Sequence, residues 1–194
     1  NTQSGCSEIV RMIKGTNREI SNGVHEIYAN LTFPASKAEQ TALLKYIENA
    51  LNNNIKFINP IEIFNLHKNE YIYYKTDHHY TTLGAYYSYL KFCEENIITP
   101  LNKDNFLIKR VSNTFLGSLF SKVNLIGITP DEVYIFRSKQ KNDLTVDYVT
   151  KKSTSLYNFS YLNNARDHYN IFLDNNHPLI KITTSIHNNK KLCI

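Results

Sequence analysis

Asp77, His78 and His79 occupy consecutive positions, set between an aromatic run and a helical pattern. A carboxylate beside an imidazole is the proton-moving half of a hydrolase triad. The acid holds the ring and stabilises its charged form, and the ring accepts a proton from the nucleophile. In an extended segment residues i and i+2 project to the same side, so Asp77 can reach His79 while His78 points away. The same residues fit two other uses. His and Asp are both metal ligands, although no H-x-x-x-H or D-x-D companion is present to complete a site. An Asp and two His can also form only a capped, solvated turn.

The flanking pattern sets where these residues stand. Leu83, Tyr86, Tyr87, Leu90 and Cys93 recur at the spacing of an amphipathic helix. Thr81 or Thr82 can cap it by accepting from a free N–H of the first turn. Tyr71, Ile72, Tyr73 and Tyr74 on the other side are β-prone. The prediction is a short loop between an extended segment and a helix N-terminus. The positive end of that helix opposes an imidazolium, so Asp77 is needed to keep His79 basic.

The run YYKTDHHYTTLGAYY over residues 73–87 resembles the signature of the DHHW protein family of Gram-positive bacteria. That family is similar to the SGNH-hydrolase-like domains of the alginate O-acetyltransferases, which carry a D-x-H pair from a Ser-His-Asp triad. The resemblance implies that Asp77 is the orienting acid and His79 the general base. Tyr80 stands where the family has Trp, and Lys75 where Arg is common. FLGSLFSK at residues 115–122 resembles the family's F-L-G-T-L-Y-S-K segment. Ser155-Leu156-Tyr157, Asp167-His168-Tyr169 and the run from Phe172 to Leu179 resemble later blocks in the same order. Together these cover most of the chain from about Ile27 onward.

In the family a lysine-rich turn leads to an apolar strand and then to a K-D-S-Y-A-N-type segment whose Ser would be the nucleophile. Lys190-Lys191-Leu192-Cys193-Ile194 matches that lead-in and ends the sequence. The expectation is a truncated domain, inactive by itself, with its serine beyond residue 194. Ser118 and Ser121 have no assigned role, and there is no G-x-S-x-G elbow. SGNH enzymes use an Asn as an oxyanion donor. Asn176 is the candidate, against the plainer reading of a turn-forming Asn.

The 194 residues suit a single domain spanning 1–194. Trp is absent, and 14 Tyr and 10 Phe supply the bulk of the core. The net charge of +5 with a pI near 9.0 allows attraction to anionic partners such as teichoic acid or a membrane surface. The lysines are dispersed, which argues against a nucleic-acid site. Cys6, Cys93 and Cys193 are too few and too far apart for a disulfide framework or a zinc site. Cys93 and Cys193 are expected to be buried thiols. No signal peptide or membrane span is read.

Residues 24–33 read as a strand. A helix follows, opened by the capping box Ser36 and Glu39, with Leu43, Leu44, Ile47 and Leu51 as its buried stripe. Residues 55–58, 133–136, 144–149, 169–173, 179–186 and 191–194 read as strands, the last one central. Residues 61–67 read as a short helix. Residues 115–122 read as a rim loop, a lid or an aromatic-anchored structural loop. The fold class is α/β and SGNH-hydrolase-like, with a central, mainly parallel sheet flanked by helices and an antiparallel excursion after residue 100.

The expected function is an acyl (acetyl) transferase or esterase acting on a cell-envelope or extracellular polysaccharide. Its location would be extracellular or at the cell surface, with a possible membrane-bound acyl-transfer partner. This chemistry requires no metal or other cofactor. One rival is a non-catalytic carbohydrate-binding or scaffolding domain. Another is a metal-dependent DHH-type phosphoesterase, for which only Glu62 and Glu70 precede Asp77 closely. A bound metal would favour the second rival.

Overall fold

The computed structural model describes residues 37–51, 56–123, 126–140, 143–164, 166 and 168–185. By internal contacts the chain divides into two compact units, Asn1–Asn59 and Pro60–Ile194. In the first unit, α1 (Lys37–Ala50) is the expected helix. Leu43, Leu44, Ile47 and Leu51 are its less exposed positions between exposed neighbours. Ser36 and the side chain of Glu39 lie outside the described residues, as do residues 24–33.

The second unit holds the remaining elements. A short helix α2 (Ile61–Leu66) is followed by the Asp-His loop and by α3 (Thr82–Glu95). Thr81 caps α3, its Oγ1 accepting from the Gly84 N–H at 3.3 Å. Tyr86, Tyr87 and Cys93 of the apolar stripe are buried, the last at 1% exposure. Tyr86 and Tyr87 pack with Ile72, Phe64, Phe106 and Phe136 into one apolar cluster beside α2. His67 stacks on Tyr87 at 3.7 Å, and Glu70 accepts from both His67 and the Tyr87 hydroxyl. These contacts fix the residues that lead into the loop.

β1 (Phe106–Phe115) and β2 (Asp131–Ser138) form an antiparallel pair. Between them runs the short helix α4 (Ser118–Val123). β2 alternates strictly. Asp131, Val133 and Ile135 are buried, while Glu132, Tyr134 and Phe136 are half-buried on the other face. The register shifts twice, between Arg110 and Ser112 and between Ser112 and Phe115. Such bulges re-aim a strand end, and here Phe115 comes opposite Asp131. Phe115, Val133, Ile135, Tyr74 and Ile171 make the second apolar cluster. A three-stranded antiparallel sheet follows, in the order β4 (Lys152–Ser153), β3 (Leu144–Asp147), β5 (Lys181–Thr184).

The mainly parallel central sheet is therefore corrected. Every strand pair among the described residues is antiparallel, and the supposed excursion supplies all of the described sheet. The parallel reading rested on three segments. Residues 24–33 and 191–194 lie outside the described residues, and residues 56–60 form no strand. The expected strand over residues 169–173 is instead a 3-10 turn, His168–Ile171. Leu173, Asp174 and Asn175 just after it sit at positive φ, which bends the chain out of any strand. The segment 115–122 is anchored by Phe115 at 0% exposure and continues as α4. The long strand β1 had no counterpart in the sequence reading.

Candidate active site

The Asp-His loop is a closed bend. Tyr74 N–H donates to the His79 carbonyl at 3.2 Å, and Thr81 N–H to the Ile72 carbonyl at 2.9 Å. Tyr73 and Tyr80 form an antiparallel bridge between these bonds. Residues 75–79 are thereby thrown into a tight turn directly before the capped α3.

Within it Asp77 is 5% exposed. Its Oδ1 accepts from His79 Nδ1 at 2.5 Å and from the His79 backbone N–H at 3.0 Å. Its Oδ2 accepts from the Ser118 N–H at 2.7 Å. Burial pushes the Asp77 carboxyl up. The Ser118 and His79 backbone donors, with the imidazole, outweigh it and hold the group below the usual carboxylate range. Asp77 is thus an anion whose charge is directed at one ring nitrogen. Asp77 reaches His79, though through a bend and not through the extended segment that the i, i+2 reading assumes.

His78 does not point away. The loop is bent rather than extended, and the His78 ring lies 3.9 Å from the His79 ring at 37°. Its Nδ1 is 2.7 Å from Ser118 Oγ. Tyr169, from the 3-10 turn, stacks on His79 at 3.9 Å and 11°. Asn176 is exposed, with its N–H bonded to Asn175 Oδ1 at 2.7 Å. No hydrogen bond or ring contact among the described residues joins it to Asp77 or His79.

Two supports of the loop were not legible in the sequence. The first is Gly117. A Cβ there would meet Asp77 Cβ at 2.3 Å and Oδ2 at 2.5 Å, so only glycine lets the Ser118 N–H approach the carboxylate. The second is Asp131, 1% exposed. It accepts from the Tyr71 hydroxyl, from the Lys75 N–H at 2.9 Å, and from the Thr76 N–H and hydroxyl at 2.7 and 2.5 Å. Thr76 Oγ1 in turn accepts from the Gly117 N–H at 3.0 Å, and the Thr76 carbonyl takes the Leu119 and Phe120 N–H groups. Burial and then the Asp131 contact push the Tyr71 phenol up, so it remains a donor. Both supports act across 40 to 60 residues, where local pattern carries no signal.

Among the described residues, Asp77, His78 and His79 are also the ones that could hold a metal, with ligand atoms within 4.8 Å of one another. Oδ1 already takes two donors, so a metal bound there would displace the His79 ring proton. Among the described residues nothing is hydrogen-bonded to His79 Nε2. An imidazole oriented through Nδ1 with Nε2 open can take a proton from a hydroxyl and return it to a leaving group. A cavity of about 960 Å³ lined by Glu70, Tyr71, Lys75, Lys103, Glu132 and Tyr134 does not include Asp77 or His79.

The model of the DHHW protein family matches residues 7–176, most of the chain, and the chain belongs to that family. Two solved structures share its fold. A DHHW family protein from Eubacterium siraeum matches with a TM-score of 0.62 at 23% identity, over 75% of this chain and 50% of that one. PatB1 from Bacillus cereus, solved with a sulfonyl adduct, matches with a TM-score of 0.55 at 17% identity, over 79% of this chain and 55% of its own. The chain thus spans about half the length of each. No curated protein matches it.

Proposed function

We propose that the chain supplies the Asp-His pair of an SGNH-hydrolase-like acyl (acetyl) transferase or esterase, acting on a cell-envelope or extracellular polysaccharide. One observation carries this reading. The buried Asp77 carboxylate grips His79 Nδ1 at 2.5 Å and leaves Nε2 open. Membership of the DHHW family supports it. PatB1's sulfonyl adduct fits, since sulfonyl electrophiles are captured by nucleophiles.

The serine is expected beyond Ile194. His79 Nε2 takes the proton from its hydroxyl as the oxygen attacks the acyl carbon and the carbonyl becomes an oxyanion. Collapse of that intermediate expels the donor's alcohol, which receives the proton from His79. A saccharide hydroxyl then attacks the acyl-serine in a transferase, or water in an esterase, and His79 repeats the exchange. Asp77 stays ionised and stabilises the imidazolium throughout. The net charge of +5 suits a parent protein at the cell surface among anionic polymers. A membrane-bound partner would deliver the acyl group.

The test is hydrolysis of p-nitrophenyl acetate by a chain extended past Ile194, beside its His79→Ala and Asp77→Ala variants. Turnover should fall by about a thousandfold or more in each. Equal turnover in all three, or none in a folded extended chain, would remove this reading and favour a binding role.

A further inference from the structure

Asp77 grips His79 through a single ring nitrogen. One hydrogen bond sets the direction of the Nδ1–H but leaves the ring free to tilt about that axis. Nε2, at the far side of the ring, would then sweep an arc. Tyr169 removes that freedom, its ring lying against the imidazole at 3.9 Å and 11°. The His78 ring, 3.9 Å away at 37° and held by its bond to Ser118 Oγ, is tilted against His79 and does not stack on it.

The turn that carries Tyr169 is itself immobilised. His168 is 1% exposed, with Nδ1 2.8 Å from Ser112 Oγ and Nε2 3.1 Å from the Leu162 carbonyl. Ile171 is 0% exposed in the core. Tyr169 also meets Tyr74 edge-on at 6.2 Å and Phe172 at 5.5 Å. Four aromatic or buried neighbours, His168, Ile171, Tyr74 and Phe172, thus fix the plane against which His79 rests.

We propose that Tyr169 is a positioning residue for His79, its ring face setting the plane of the imidazole and hence the direction of Nε2. The proposal rests on the reading of His79 as the general base. The same face attracts the imidazolium that forms when Nε2 takes a proton. Face contact carries the effect, so the phenol oxygen is dispensable and the ring is not.

The experiment compares Tyr169→Phe with Tyr169→Leu by NMR of ring-labelled histidine in the full chain, His79 being assigned with a His79→Gln variant. The aromatic ring places the His79 carbon-bound protons in its shielding zone. Tyr169→Phe should leave those signals in place. Tyr169→Leu should move them downfield while the His168 signals stay fixed. In the chain extended past Ile194, kcat for p-nitrophenyl acetate should fall about tenfold in Tyr169→Leu. KM should be unchanged, and Tyr169→Phe should be near the unsubstituted rate.

Unmoved His79 signals in Tyr169→Leu would overturn the proposal. So would a parallel movement of the His168 signals, which would mean that Tyr169 only holds its own turn. If the unsubstituted extended chain shows no turnover, the proposed reaction fails, and the NMR comparison still decides the stack.

Discussion

Two loops of this chain each set a buried aspartate beside a histidine, and they come out differently. At Asp77 the carboxylate binds His79 Nδ1 directly at 2.5 Å. At Asp174, 6% exposed, the carboxylate is taken by the ammonium of Lys151 and by Asn158 Nδ2 at 2.5 Å. His177 Nε2 lies 3.6 Å from that carboxylate and bonds instead to the Asp174 backbone carbonyl at 2.8 Å. The Lys151 contact, with Asn158, holds the Asp174 carboxyl below its usual range. A permanent cation has claimed the charge that would otherwise serve an imidazole. Proximity of Asp and His is therefore not the signal. What matters is whether the other donors to the carboxylate are neutral, as the Ser118 and His79 N–H groups are.

The sharpest break of this contrast is the pair Asp77→Asn and Asp174→Asn. In the extended chain the first should lower esterase kcat about 10³–10⁴-fold, the scale for loss of an orienting acid. The second should leave kcat unchanged. Gly117→Ala comes next. Its methyl group would sit 2.3 Å from Asp77 Cβ and must push the carboxylate aside. Overpacking of this kind costs about 1–3 kcal/mol, and a misplacement near 1 Å costs about a hundredfold in rate. Thermal melts and kcat read the two effects.

Smaller effects separate the loops by pH. Both carboxyls are held low in the folded chain. Each therefore contributes stability that is fully present above the ordinary Asp value of about 3.9 and is lost as pH falls through the lower folded value. Urea melts stepped down through that window should show a smaller acid loss in Asp77→Asn. Lys151→Met should diminish the Asp174 share alone. It should leave the Asp77 share, and esterase activity at neutral pH, as they were. If Lys151→Met alters kcat, the two loops are coupled and the contrast fails.

The loop was legible because its determinants are local. The aromatic run, the D-x-H spacing, the Thr81 cap and the 83–93 stripe all lie within about two dozen residues. The strand β2 was legible in its middle, residues 133–136, as a run of β-branched and aromatic residues. β1 was obscured because residues 107–110 are four exposed positions in a row and the register then shifts twice near Ser112, so no period-2 pattern announces it. Gly117, Asp131 and Tyr169 acquire their roles only across long sequence separations. Nothing near Tyr169 marks it as a ring that will lie on His79. The turn at 173–175 misled for another reason. A non-glycine Leu173 at positive φ contradicts its own preference, and tertiary structure prevails there.

Asp131 also bears on the order of events in folding. Its partners, the Tyr71 hydroxyl, the Lys75 N–H and the Thr76 N–H and hydroxyl, lie 55 to 60 residues before it in the chain. Closing a loop of that length precedes any reward from the contacts it makes. In a chain emerging from the ribosome, α3 can form on its own cap, but the bend that presents His79 has only its local bonds until Asp131 has been made. The Lys75 and Thr76 amides should accordingly gain protection from hydrogen exchange together with β2, and later than α3.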